Sequence, residues 1–164
     1  MRPRRGKIYR MTLSALAAGT ALAAPQMTVS AMEEAEVREL SERIGAEYSL
    51  CPELLQVIAR RESGYDETAE ADGCIGLMQV SKRWHWDRME RLKVVDLYDP
   101  EGNMLVAADY LSELFAQYED IGMVLMVYSG DSGAEAYART GEGLSAYAQE
   151  VMEQAALLER EHGK

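Results

Sequence analysis

From residue 33 onward, apolar positions recur at spacings of three and four, and no stretch alternates polar and apolar for long. That period predicts helices and requires no sheet. Glu33 to Ser49 places Val37, Leu40, Ile44 and Tyr48 on one face, with acidic residues at the start, where the helix dipole favours them. A second helix runs from Cys51 to Gly64. Pro52 suits its first position, and Leu55, Ile58, Ala59 and Glu62 follow at helical spacing. Tyr65 to Cys74 reads as a polar loop. Ser81 can cap a short helix through Leu92, and Leu97 to Pro100 is a connector. Asp99 and Pro100 then open a long helix with Met104, Ala107, Ala108, Leu111, Leu114, Phe115 and Tyr118 inward. Asp120 opens an apolar helix from Ile121 to Tyr128, and the serine- and glycine-rich run 129–133 breaks it. A short helix to Arg139 and a turn at Gly141 to Gly143 follow. Leu144, Tyr147, Ala148, Val151, Met152, Ala155 and Leu158 mark the last helix. The expected fold is all-α: a compact single domain of six or seven helices with little or no sheet.

The 164 residues suit one domain, but the first part differs in kind. Arg2, Arg4, Arg5, Lys7 and Arg10 make a basic start without acidic residues. Met11 to Ala24 is apolar and alanine-rich, and small residues suited to cleavage stand at Ala24 and at Val29-Ser30-Ala31. Residues 1–31 therefore read as a secretory signal peptide, leaving 32–164 as the exported domain. The alternative is an uncleaved anchor, but the apolar run is shorter than the roughly 20 residues a span needs. The membrane is expected to matter only during export. Cleavage would remove five positive charges and take the net charge from −11 to −16. Such a surface argues against nucleic acid and against anionic membrane, and leaves any hold on a polyanionic wall to a shaped cleft.

Two cysteines in an exported chain most simply form one disulfide, here Cys51 to Cys74, which would tie the start of the second helix to the loop before Gly76. It would add roughly 3 kcal/mol on the chain-entropy model. Two free thiols are the alternative. His85 and His162 are the only histidines, so neither a metal site nor a cofactor is expected.

Glu62 is the candidate for chemistry. It closes an otherwise apolar stripe in the last turn of its helix. Partial burial and the negative end of the helix dipole both disfavour its charged form, as a general acid near neutral pH requires. A satisfied structural carboxylate is the competing reading. Asp66, Glu67, Glu70 and Asp72 in the following loop read as solvated. Trp84 and Trp86 could stack on sugar rings, but the expectation is that they fill core beneath a thin region.

Around Glu62, the segment ESGY followed by GCIGLMQV resembles the lysozyme-like domain of the soluble lytic murein transglycosylases. Asn103 with AADYL, LMVYSGD at 125–131, and Tyr147 continue the resemblance. About 115 residues from Ser49 onward fit the family's order of motifs. The resemblance implies a lysozyme-like fold around a glycan cleft, with peptidoglycan strands as substrate and Glu62 as the sole catalytic acid and base. The product would be a 1,6-anhydro-muramic end. It also implies that Tyr128 hydrogen-bonds near Glu62 or the substrate, and that Gln79 contacts an N-acetyl group or a sugar hydroxyl. Ser63 would reach substrate or a backbone group, and Tyr147 and Ser129 would complete the substrate-binding set. Ser129 departs from the family's asparagine and cannot offer a bidentate amide edge. A hydrolytic muramidase using Asp66 or Asp72 to orient water is an alternative on the same fold, and an inactive wall-binding scaffold is a second. A monomer in the cell wall or periplasm is expected, with a cell-envelope protein complex as the further partner.

Overall fold

The computed structural model describes residues 31–164, so the expected signal segment lies outside the described residues except for Ala31. Seven helices and one small sheet make up this part. Helix α1 (Glu34–Tyr48) begins with a capping box, in which the Glu33 N–H donates to Glu36 Oε2 at 3.1 Å. Its stripe of Val37, Leu40 and Ile44 is buried.

Helix α2 (Pro52–Ser63) is the centre of the domain. Proline occupies its first turn, and Gly64 ends it in the left-handed region at φ 64°. Leu54, Leu55, Val57, Ile58 and Ala59 are all buried, because α1 covers one side and α7 another. A helix apolar on most of its circumference is what a core position demands. Only its last turn emerges, and Glu62 and Ser63 sit there, half-buried.

Three two-residue strands follow: β1 (Glu70–Ala71), β2 (Cys74–Ile75) and β3 (Val80–Ser81), antiparallel in that order. Glu70 pairs with Ile75, and Ile75 with Val80. Strands this short carry no readable alternation, so periodicity gave no sign of them. Asp72 and Gly73, both at positive φ, form the tight turn between β1 and β2. Gly76 sits at φ 75°, where an added Cβ would lie 2.4 Å from the Leu97 carbonyl oxygen and 2.5 Å from Asn103 Nδ2. Only glycine fits there.

Helix α3 (Lys82–Leu92) has a non-helical residue at His85 (φ −116°, ψ 18°), and Ser81 at its start makes no side-chain cap. The expectation that its tryptophans fill core is not met: Trp84 is 75% exposed and Trp86 56%. Among the buried residues of α3 only Met89 reaches the core, and Arg88 and Arg91 pin its inner side to Asp109 of the next helix. The tryptophans are left on the outer side.

Helix α4 (Pro100–Gln117) is capped by Asp99, whose Oδ2 accepts from the Gly102 N–H at 2.8 Å. Helix α5 (Ile121–Tyr128) is capped by Asp120 in the same way at 2.7 Å. The short α6 (Ala134–Thr140) and the long α7 (Ala146–Glu161) complete the domain. Ser145 caps α7 by accepting from the Ala148 N–H at 3.2 Å, which fixes the first turn that carries Tyr147.

The expected Cys51–Cys74 disulfide is not present; both thiols are free. The reason is geometric. Cys51 caps the start of α2, whereas Cys74 lines the same cavity as Glu62, in the last turn of α2. Eleven residues of helix separate Cys51 from Glu62, a rise of roughly 16 Å, and a bridge needs Cα atoms within about 7 Å. The Cys51 thiol instead donates to Glu53 Oε2 at 3.2 Å and Glu159 Oε1 at 3.1 Å. Burial and the Glu159 carboxylate push it up to about 12, so it stays protonated.

Candidate active site

The last turn of α2 projects Glu62 into a cavity of about 330 Å³ between the small sheet, α4, α5 and the start of α7. Its lining includes Cys74, Gln79, His85, Tyr110, Tyr128 and Tyr147. The Tyr147 hydroxyl donates to Glu62 Oε1 at 2.6 Å. Burial raises the Glu62 carboxyl above its ordinary range, against the opposing pull of the Tyr147 hydrogen bond and the Arg61 charge. Tyr147 is itself held neutral, raised by burial and by the nearby Glu62 charge. The Arg61 guanidinium lies over the Tyr147 ring, 5.5 Å from its centroid, and pairs with Glu150 at 3.1 Å.

The loop opposite Glu62 is fixed by side chains from three helices. Ser63 donates to the carbonyls of Ala59 at 3.1 Å and Leu77 at 2.8 Å, so its hydroxyl is engaged by backbone, and the residue does not line the cavity. Tyr128 donates to the Met78 carbonyl at 2.9 Å. Asn103 is fully buried and uses its whole amide. Its Nδ2 donates to the carbonyls of Ile75 at 2.8 Å and Leu97 at 2.7 Å, and its Oδ1 accepts from the Met78 N–H at 2.8 Å. Gln79, at φ 49°, donates to the carbonyls of Gly76 at 3.0 Å and Ala69 at 3.2 Å while lining the cavity. Leu77 and Met78 are buried packing.

Of the six residues expected at the site, Glu62, Gln79, Tyr128, Ser129 and Tyr147 line one cavity and Ser63 braces it from behind. It is Tyr147, rather than Tyr128, that bonds the Glu62 carboxylate. Ser129 donates to the Met126 carbonyl at 3.2 Å from the rim. Sequence reasoning missed His85 and Tyr110 as wall residues. Their ring centroids lie 4.7 Å apart with the planes tilted by 56°, and the Tyr110 ring lies 6.0 Å from that of Tyr128, so three rings run along one wall. Tyr110 belongs to the AADYL segment that follows Asn103. His85 had no signal beyond its place between two tryptophans. Burial lowers its pKa, so it lines the wall as a neutral ring at neutral pH.

Asp72 is the one other carboxylate lining this cavity, at the exposed tip of the β1–β2 turn. Asp66 is engaged by Thr68, through its N–H at 2.8 Å and hydroxyl at 2.7 Å, and does not line it. A second cavity of about 600 Å³ adjoins the first and shares Cys74, Gln79, His85, Tyr110, Tyr128 and Ser129 with it. A separate, largely apolar cavity of about 530 Å³ lies at the far end of α2, beside Cys51 and Glu159. There Cys51, Glu53 and Glu159 bring donor atoms within 4.8 Å of one another, the one such group among the described residues. Glu53 of this group is already paired with His162 and Lys164, each at 2.8 Å. Among the described residues no helix is long and apolar enough to cross a membrane.

Comparison with known proteins bears on this arrangement. The family model described as the transglycosylase SLT domain matches residues 39–149. A comparison with curated protein sequences finds no match. Among solved structures, the chain is similar to an inactive mutant of the lytic transglycosylase Slt from Pseudomonas aeruginosa, with a TM-score of 0.66 and 18% identity. The match covers 77% of this chain and 24% of that one, so the chain spans about a quarter of the length of the structure it resembles. The fold is thus the lysozyme-like one expected, with seven helices and a minimal sheet.

Proposed function

We propose, since the chain belongs to the transglycosylase SLT domain family, that it cleaves peptidoglycan glycan strands as a lytic transglycosylase with Glu62 as its single acid and base. The observation that carries this is the placement of Glu62. It is half-buried in a cleft, raised in pKa, and held at one oxygen by Tyr147. With Oε1 accepting from Tyr147, Oε2 is the oxygen that carries the proton. Glu62 donates that proton to the glycosidic oxygen between N-acetylmuramic acid and N-acetylglucosamine. The muramic N-acetyl group stabilises the developing positive charge. Glu62, now a carboxylate, takes the proton of the 6-hydroxyl, which attacks the anomeric carbon. A 1,6-anhydro ring forms, and water is not consumed.

Most glycoside hydrolases need two carboxylates flanking the bond. Here the substrate's own N-acetyl and 6-hydroxyl groups do the work of the second. Gln79 and Ser129 offer the sugar hydrogen-bonding groups along the wall, and Tyr147 positions Glu62. Tyr128, Asn103 and Ser63 hold the loop that forms the opposite side. A peptidoglycan substrate and the basic, apolar stretch expected to be a signal peptide at residues 1–31 both support a site of action outside the cytoplasm.

Mass spectrometry of a digest of purified sacculi tests the reading. Muropeptides ending in 1,6-anhydro-muramic acid are expected, and Glu62→Gln should release none while keeping its helical circular dichroism. One observation favours a second reading: Asp72 lines the same cavity and could orient a water. A hydrated, reducing muramic end in the digest would establish that hydrolysis instead.

A further inference from the structure

The chain has two tryptophans, two positions apart, and both stand exposed on α3. Leaving them in water forfeits the largest apolar burial any side chain offers. The two are not equivalent. Trp84 lines the second cavity, which continues the Glu62 cleft past Gln79, Tyr128 and Ser129. Trp86 lines neither cavity. The break in helical geometry at His85 lies between them. It lets the His85 ring turn inward onto Tyr110 while Trp84 stays on the rim. The Arg83 guanidinium lies 5.3 Å from the Trp84 ring centroid and covers one face. At 75% exposure the opposite face is open. Asp87, Arg88 and Glu113 supply polar groups along the same cavity.

We propose that Trp84 is a stacking platform for a pyranose ring of the glycan strand, at a subsite beyond the bond that Glu62 cleaves. A pyranose has an apolar face of C–H groups and an equatorial belt of hydroxyls. A flat indole bordered by charged and hydroxyl side chains matches both. Continuity with the Glu62 cleft identifies the occupant as the same strand rather than a separate ligand. Binding at a remote ring helps hold the scissile bond against Glu62, so its benefit grows with strand length. The inference rests on the reading of the cleft given above.

The test uses the chain's own fluorescence. In a Trp86→Phe, Glu62→Gln protein, Trp84 is the sole tryptophan and the strand is not cut. Peptide-free strands of alternating N-acetylglucosamine and N-acetylmuramic acid, sorted by length, are titrated in. A blue shift of emission and a several-fold loss of acrylamide quenching are expected with long strands. Unchanged emission and quenching would overturn the platform. In the otherwise native protein, Trp84→Ala should flatten the rise of cleavage rate with strand length. The loss is roughly tenfold on long strands and smaller on the shortest ones that are cut. An equal loss at every length, or none, also overturns it. The fluorescence arm does not depend on catalysis. A native protein that fails to release anhydro products counts against the activity, while a Trp84 that does not respond counts against the platform.

Discussion

The hydroxyl of Tyr147, in the first turn of α7, donates to Oε1 of Glu62, in the last turn of α2, at 2.6 Å. Two elements 85 residues apart thereby set the proton affinity of one carboxyl. Burial raises it, and the tyrosine hydrogen bond opposes the rise by favouring the charged form. Tyr147→Phe removes the opposing influence. The Glu62 pKa should therefore rise further, and the alkaline limb of the pH profile of kcat/KM, which marks loss of the protonated acid, should move to higher pH. The rate at the optimum should fall roughly tenfold as the carboxyl loses its fixed orientation. A fall in rate without movement of that limb would mean that Tyr147 only packs.

Asn103 is the other keystone, though it touches no substrate group. Its amide makes three hydrogen bonds to backbone of the loops that face Glu62. Asn103→Ala leaves the Ile75 and Leu97 carbonyls and the Met78 N–H without those partners in a dry interior. A destabilisation of about 3 kcal/mol is expected, together with loss of activity. Urea unfolding monitored by circular dichroism measures the first, and digestion of sacculi the second.

Helix positions were largely legible because the core is built from long stripes such as Val37, Leu40 and Ile44, and because Asp99, Asp120, Gly64 and Gly141 mark ends through local chemistry. The strands were not, since two residues cannot display a period. Glu62 could be singled out because a carboxylate on an apolar stripe is locally anomalous. Its partner was not legible even with the resemblance, which pointed to Tyr128, because the meeting of α2 with α7 is a tertiary fact. Trp84 and Trp86 misled for a related reason. Burial of an aromatic is decided by what packs over it, and α3 receives cover on its Met89 side alone. The cysteines misled because closeness in sequence says nothing of a rigid helix standing between them.

Asp72→Asn separates the two catalytic readings. The carboxylate sits at the exposed tip of a two-residue turn, where no packing fixes it against a water. If the 6-hydroxyl is the nucleophile, the variant still makes anhydro ends, at a rate within about threefold of the native enzyme. A hundredfold loss would assign Asp72 the role of water-orienting base.

The free thiols give a direct chemical expectation. Unfolded in denaturant without reductant, the protein should take up two alkyl groups, one each at Cys51 and Cys74, as read by intact mass. Added reductant should leave the melting temperature unchanged. In the folded protein both thiols should react slowly, because burial and, respectively, the Glu159 and Glu62 carboxylates disfavour the thiolate.

Two carboxylates of α2 should bend the pH dependence of stability in opposite directions. Burial acts to raise Glu53, but Lys164 and His162 outweigh it and hold the carboxyl at about 2. A depressed pKa means that the native state binds this proton more weakly than the unfolded chain does. The stabilisation is complete above the unfolded value near 4.5 and is lost as pH falls towards 2. Allowing for the half-exposed Lys164, it is of the order of 2 kcal/mol. Glu62 is raised, so its contribution has the other sign. It favours the native state below 4.5 and is lost as pH rises through the native value. Glu62→Gln keeps an acceptor for Tyr147 but carries no charge, and should raise the melting temperature at pH 7 and not at pH 3, a gain of about 1 kcal/mol. Glu53→Gln should lower it at pH 7 and flatten the acid side of the curve. Thermal melts of both variants from pH 2 to 8 measure this. A Glu62→Gln protein less stable than the native one at pH 7 would show that the carboxylate serves the fold rather than costing it.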